Sequence, residues 1–232
     1  MTMFRQSSSW FIDALSGLQS LVFPSSCIMC ARFPEEICDQ CNTHWILRPR
    51  LTNFIDVPTA SVVPYSSEVS SVVLKAKEDG SRVARRLIAE ALYKAIDFIS
   101  AENMYQPFVL VPIPSSRQAI RQRGESFLHP ILNHVNEIAA AHSRKWIWKE
   151  LLIHKKRVRD QAGLNFRERS QNLEGVFAVR EDVEEKRPII LIDDVITTGS
   201  TLKNAILALN ERKMTVLGAA TACASAHQFL IR

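Results

Sequence analysis

Four apolar residues, Ile189-Ile190-Leu191-Ile192, run directly into Asp193-Asp194-Val195-Ile196-Thr197-Thr198-Gly199-Ser200-Thr201. A strand, a loop of small hydroxyl residues around one glycine, and a helix N-terminus together make a phosphate cradle of backbone N–H groups and hydroxyls. The dinucleotide and Walker patterns are excluded, because the stretch has a single glycine and no Gly-Lys-Ser/Thr. Adjacent carboxylates repel each other if buried alone. Asp193 and Asp194 therefore call for cations or hydroxyl donors, such as a ribose diol near a magnesium ion. A helix N-cap with solvated acids is the simpler alternative, and it accounts for Ser200 but not for the whole nonapeptide.

A second chemistry is written near the N-terminus. Cys27-Ile-Met-Cys30 and Cys38-Asp-Gln-Cys41 are two C-x2-C pairs, and four thiolates from two tight knuckles match the tetrahedral preference of zinc. Reducible disulfides or a thioredoxin-like redox pair are the alternatives. The redox reading needs a strand before the motif, whereas Phe23-Pro24-Ser25-Ser26 precedes it. His44 stands three residues past Cys41 and is either a surface histidine or a replacement ligand. With no open coordination position in sight, the metal is expected to be structural. The fifth cysteine, Cys223, lies in an apolar run and is expected to be a buried small hydrophobe.

Anionic ligands need cations. Arg117, Arg121, Arg123, Lys75 and the run Lys155-Lys156-Arg157-Val158-Arg159 are the candidates, with a solvated surface charge as the alternative for any one of them. The run also suits nucleic-acid phosphates, which closely spaced Lys and Arg neutralise without sequence preference. Trp146 and Trp148 lie close by, but their alternation fits a strand facing a core better than a stacking platform.

Elements must hold these groups in place. Phe108-Val109-Leu110-Val111 is a short apolar run closed by Pro112 and Pro114, hence a buried strand followed by a loop. Helical spacing recurs at Ala84, Leu87, Ile88, Ala91, Leu92, Ala95 and Ile99, and again from Leu128 to Ala139. Strands are expected at 146–153, 176–179, 189–192 and 215–222, with a helix at 201–211. Continuous apolar strands alternating with amphipathic helices indicate an α/β fold with a mostly parallel sheet flanked by helices. Ligands bind such sheets outside the carboxyl ends of the strands, so the loops after Val111 and Ile192 are where chemistry is expected. Pro49, Pro58 and Pro64 mark 48–64 as a joint, dividing the chain into an N-terminal helix and cysteine module over 1–55 and a main domain over 56–232.

The 232 residues are 47% hydrophobic and 23% charged, which excludes disordered, collagen-like and repeat proteins. Lys and Arg number 29 against 24 Asp and Glu, and the resulting +5 leaves phosphates, nucleic acid and acidic membrane open as partners. No run is long enough to span a membrane. Residues 11–22 form an amphipathic helical face, and their interruption by Asp13 and Gln19 argues against a secretory signal, so a reducing cytoplasm is the expected compartment. Nothing in the sequence speaks to oligomeric state.

Asp193 to Thr201 resembles the 5-phosphoribosyl-1-pyrophosphate (PRPP) motif of type I phosphoribosyltransferases. The resemblance implies that Asp193 and Asp194 take the ribose hydroxyls at the catalytic centre, and that Thr197, Thr198, Gly199, Ser200 and Thr201 take the 5′-phosphate. With the four-cysteine module, the chain is similar to the ComF family, phosphoribosyltransferase-like proteins linked to DNA uptake in competent bacteria. Val111-Pro112-Ile113-Pro114-Ser115-Ser116-Arg117 and Arg121-Gln122-Arg123-Gly124 resemble its Val-Pro-x-Pro and Arg-Gly segment, which places Ser115 and Arg117 where relatives bind pyrophosphate. Lys75 and Gly80 match a further lysine segment. Arg159, Gln161, Leu164, Arg169, Asn172 and Phe177 match a spaced stretch corresponding to a mobile loop over the site. Glu125-Ser126 departs from the family pattern, which has an apolar or aromatic residue followed by Asn. The resemblance implies PRPP with magnesium as ligand, structural zinc at Cys27, Cys30, Cys38 and Cys41, and transfer of phosphoribosyl to an unidentified acceptor. It leaves open a DNA-uptake accessory role involving single-stranded DNA or a competence helicase, and a regulator that senses PRPP without turnover.

Overall fold

Strand-length apolar runs separated by amphipathic helices set the architecture of the computed structural model, which describes residues 26–52, 56–101, 107–155 and 175–225. The chain separates into two compact units, Met1–Thr43 and His44–Arg232. The amphipathic stretch 11–22 lies outside the described residues.

In the first unit, Cys27 N–H donates to Arg32 O at 2.8 Å and Ala31 N–H to Cys27 O at 2.8 Å, closing the first knuckle around Ala31 at φ 59°. The second knuckle runs into the short helix α1 (Asp39–Asn42).

The second unit comprises β1 (Arg50–Thr52), β2 (Thr59–Tyr65), α2 (Ser67–Glu78), α3 (Arg82–Ala101), β3 (Val109–Pro112), α4 (Arg117–Arg123), α5 (Leu128–Ala141), β4 (Leu152–His154), β5 (Phe177–Val179), β6 (Ile189–Ile196), α6 (Ser200–Glu211) and β7 (Val216–Ser225). The sheet order is β1-β2-β7-β6-β3; β2, β7, β6 and β3 run parallel, and β1 is an antiparallel edge. Strands β4 and β5 form a separate antiparallel pair. Val109, Val111, Ile189 and Leu191 pack with Leu202, Ala205 and Leu209 of α6. The pleat sends the alternate residues, such as Leu110 and Ile190, to the opposite face. Helix α3 packs on β2 and β7 and against α5.

Three expectations are corrected. Residues 59–65 are a sheet strand rather than part of a joint: Thr59 to Val63 are buried, and the register pairs Thr59 with Ala219 and Val63 with Cys223. Pro64 is tolerated there because β1 pairs only with residues 59–61, so a missing N–H on that flank interrupts no ladder. Of 146–153, only the end becomes strand. Trp148 makes a single bridge to Leu110, and Ile147 points out with half its surface exposed. Finally, β6 runs past its apolar residues because β7 continues beside it, pairing Asp193 with Thr221 and Val195 with Cys223. The two acids therefore belong to a strand rather than to a loop. Helix α2 was not anticipated, although Val69, Val72, Val73 and Ala76 form a buried stripe and the Ser66 hydroxyl caps it, accepting from Val69 N–H at 3.3 Å.

The close approach of α3 to the sheet depends on Gly218. A Cβ there would lie 2.6 Å from Pro58 O and 3.0 Å from Ile99 Cγ2. Gly218→Ala is expected to destabilise the sheet unit by about 1–3 kcal/mol through overpacking, read from denaturant unfolding. An unchanged midpoint would show that the contact is slack.

Candidate functional site

Parallel register brings the two expected loops together. Pro112 pairs with Ile192, and Ile113 N–H donates to Ile192 O at 2.9 Å, so the segments leaving β3 and β6 start side by side at the carboxyl end of the sheet. After β3, the Ser116 hydroxyl caps α4 by accepting from Ala119 N–H at 3.2 Å. Gly124 at φ 80° ends that helix. The Ser115 hydroxyl accepts from Phe127 N–H at 3.2 Å and from the Ser126 hydroxyl at 3.4 Å, pulling the chain back. Glu125 pairs with Arg85 of α3 at 3.1 Å, and Ser126 is buried, which gives both residues structural roles.

A cavity of about 200 Å³ results, lined by Ser115, Arg123 and Phe127 from the β3 side, Asp193 and Asp194 from β6, and Lys77 from α2. Lys77 Nζ lies 2.7 Å from Asp194 Oδ2 and 5.1 Å from the centre of the Phe127 ring. The Arg123 guanidinium lies over the same ring at 5.7 Å. Among the described residues, Arg123 Nε is buried without a hydrogen-bond partner. Asp194 Oδ2 is buried too, and the ammonium beside it is out of hydrogen-bonding alignment. The Asp193 carboxyl is pushed well above the ordinary carboxylate range, first by burial and then by the charge of Asp194. The Asp194 N–H, donating to Asp193 Oδ1 at 2.9 Å, offsets this in part. Two cationic side chains, Lys77 and Arg123, line the cavity with this acidic pair.

Beyond β6, Gly199 takes φ 74° as the N-cap of α6 and supplies no capping side chain. The first N–H groups of that helix are therefore not all met from within it. Thr198 and Ser200 hydroxyls stand 3.0 Å apart beside them, with Thr197, Thr198 and Thr201 exposed.

Of the expected residues, Ser115, Arg123, Asp193 and Asp194 meet in the cavity, and Thr197 to Thr201 continue from its β6 wall to α6. Arg117 and Arg121 lie exposed on α4 outside the cavity lining, and Lys75 is exposed on α2. Lys77 was missed, although it stands four residues after Val73 and eight after Val69 and so shares their helical face. Arg159, Gln161 and Arg169, and the basic run beyond Lys155, lie outside the described residues. Trp146 packs against Tyr93 and Phe108, and Trp148 against His129.

In the first unit, the sulfurs of Cys27, Cys30, Cys38 and Cys41 all lie within 4.8 Å of one another. Cys30 and Cys38 are 3.6 Å apart, far beyond an S–S bond and close to the edge of a zinc–thiolate tetrahedron, about 3.8 Å from a Zn–S length of about 2.3 Å. The donor set fits zinc. Burial pushes the Cys27 thiol up, but backbone N–H groups of Cys38, Cys30 and Met29 outweigh it and bring it down to about 6. Burial and then the neighbouring sulfurs push Cys41 the other way. Four thiols this close do not all ionise without a cation among them. Cys223 is fully buried in β7, and that burial raises its thiol.

No helix among the described residues is long and apolar enough to cross a membrane. No curated protein matches the chain significantly in sequence. Among solved structures, the chain is similar to orotate phosphoribosyltransferase from Aeropyrum pernix, with 11% identity over 82% of this chain and 83% of that one and a TM-score of 0.37. It is also similar to adenine phosphoribosyltransferases from Saccharomyces cerevisiae (10% identity, 66% and 75% covered, TM-score 0.34) and Leishmania tarentolae (12%, 75% and 94%, TM-score 0.34). Residues 150–229, which carry β4 to β7 and the whole Asp193–Thr201 stretch, match the phosphoribosyl transferase domain family.

Proposed function

We propose that the chain binds PRPP with magnesium and transfers its phosphoribosyl group to a nitrogen acceptor. One observation carries this reading: a cavity at the strand ends gathers two adjacent carboxylates, Asp193 and Asp194, with the buried, unpartnered Arg123 Nε. A ligand that fills both carries hydroxyls at one end and an anion at the other, as a phosphorylated ribose does. Asp193 and Asp194 take the ribose hydroxyls; Ser115 and Arg123 face the diphosphate; the Thr197–Thr201 loop and the N-terminus of α6 take the 5′-phosphate.

In the transfer, the bond from C1 to the diphosphate oxygen breaks with its electron pair leaving on pyrophosphate. The acceptor nitrogen bonds to C1 through its lone pair and gives up its proton to water or to the departing pyrophosphate. Positive charge develops on the sugar and negative charge on the leaving group, so fixed cations on one side and carboxylates on the other lower the barrier together. Magnesium, for which the two carboxylates are suitable oxygen donors, supplies further neutralisation of phosphate charge when bound. The order of a four-sulfur cluster followed by this sheet supports the narrower ComF-like reading and a reducing, cytoplasmic setting. Loss of DNA uptake on gene disruption tests the ComF-like reading.

Titration calorimetry with PRPP and magnesium tests the proposal. The chain is expected to bind, and Asp194→Asn to weaken binding about 10- to 100-fold, the worth of charge-assisted hydrogen bonds to the ribose. Absence of heat from the unmodified chain, or an Asp194→Asn variant that binds as well, sinks it.

A further inference from the structure

Lys77 has no role in the motif, yet it holds the most telling contact in the cavity. Its ammonium sits 2.7 Å from Asp194 Oδ2, the oxygen that the proposed reading assigns to a ribose hydroxyl. Asp194 is nearly buried at 10% side-chain exposure, whereas Lys77 is 31% exposed, so the lysine is the partner free to move. A lysine ammonium is a compact charge on a flexible four-carbon stem, and this one already lies over a ring it shares with Arg123. The Arg123 guanidinium lies 5.7 Å from the centre of the same ring, with its Nε buried and unpaired.

A hydroxyl that takes Asp194 Oδ2 must displace the ammonium. The displaced cation then needs an anion, and so does Arg123, whose guanidinium lies over the same ring with its Nε unpartnered. We infer that Lys77 is a specificity-determining residue that changes partner. In this structure it neutralises Asp194; with ligand bound it moves beside Arg123 onto the diphosphate. This inference rests on the PRPP reading of the cavity and adds a selection rule to it. A ribose phosphate without a diphosphate must break the Lys77–Asp194 pair and gives the lysine nothing in return. A ligand that carries the diphosphate supplies the replacement partner.

The test uses the full chain with three probes, each with magnesium: ribose 5-phosphate, inorganic pyrophosphate and PRPP. Lys77→Met is expected to move the first two in opposite directions. Ribose 5-phosphate should bind about two- to fivefold tighter, since no partly exposed ion pair has to be broken. Pyrophosphate should bind about tenfold or more weakly, since a charged donor is gone. Lys77→Arg should retain pyrophosphate affinity, and Lys77→Gln, which keeps a polar head, should repeat the split if Lys77→Met folds poorly. Equal weakening for both probes, or no change in either, overturns the exchange while PRPP binding by the unmodified chain keeps the pocket reading intact. An unmodified chain that binds none of the probes overturns both.

Discussion

Cys38→Ser is expected to abolish zinc binding at the four-cysteine cluster and, with it, the order of the first unit, leaving the sheet to melt as before. Within residues 26–43, the buried positions are Cys27 and Cys38 alone. Among these described residues no other side chain is buried, and a module of this size rarely holds a fold without a metal or disulfides. Binding free energy at such a cluster is folding free energy, of the order of 10–16 kcal/mol for structural zinc in comparable peptides near neutral pH. Losing one of four thiolates removes most of that. The sheet unit has a buried cluster of its own, from Val109 to Ala224, with its strongest members in β3, β6 and α6. Native mass spectrometry should find one zinc in the unmodified chain and none in the variant. Hydrogen exchange should show residues 27–42 losing protection while β6 and β7 keep theirs. Acidification should release the metal as well, since each thiolate must be free of its proton to ligate. Retained protection over 27–42 in a zinc-free variant would falsify the structural assignment.

The sheet was legible in the sequence wherever a strand is buried on both faces. Ile189 to Ile192 and Val109 to Val111 have no polar residue to disguise them, and α3 shows its stripe over five turns. Strand β2 was hidden because its Thr-Ala-Ser-Val-Val run stands between Pro58 and Pro64. Small residues there leave room for α3 and hydroxyls pair across strands, as Ser61 does with Thr221, and neither reads as a hydrophobic run. In the cavity, the acids and Ser115 came from motif spacing, which encodes position along one chain segment. Lys77 did not, because its part in the site arises only when α2, packed on α3 and β2, brings its side chain to Asp194 of β6. Likewise, Arg117, Arg121 and Arg123 are alike in sequence, and only the turn of α4, fixed by the Ser116 cap and Gly124, decides that the third one enters the cavity.

The loop after β6 yields the second large effect. Gly199→Val is expected to abolish recognition of the 5′-phosphate while the sheet survives. Gly199 holds φ 74° and ψ 1°, the left-handed region, where a β-branched residue is a genuine outlier. The left-handed conformation costs an L-residue about 1–2 kcal/mol, and branching at Cβ adds to that. The backbone is expected to relax by turning at residue 199, and that turn re-aims the N–H groups of Ser200 and Thr201, which are the donors of the proposed cradle. As N-cap, Gly199 contributes no side-chain bond, so α6 loses no cap, and Leu202, Ala205 and Leu209 still anchor the helix to the sheet. Affinity for ribose 5-phosphate should fall by about 100-fold or more, as expected when two or three backbone donors to a charged group are lost together. The melting temperature should fall by only a few degrees. Thr198→Ala, which removes one hydroxyl and leaves the backbone alone, should cost far less affinity. A Gly199→Val chain that binds ribose 5-phosphate normally would place the phosphate elsewhere and detach the loop from the function proposed for it.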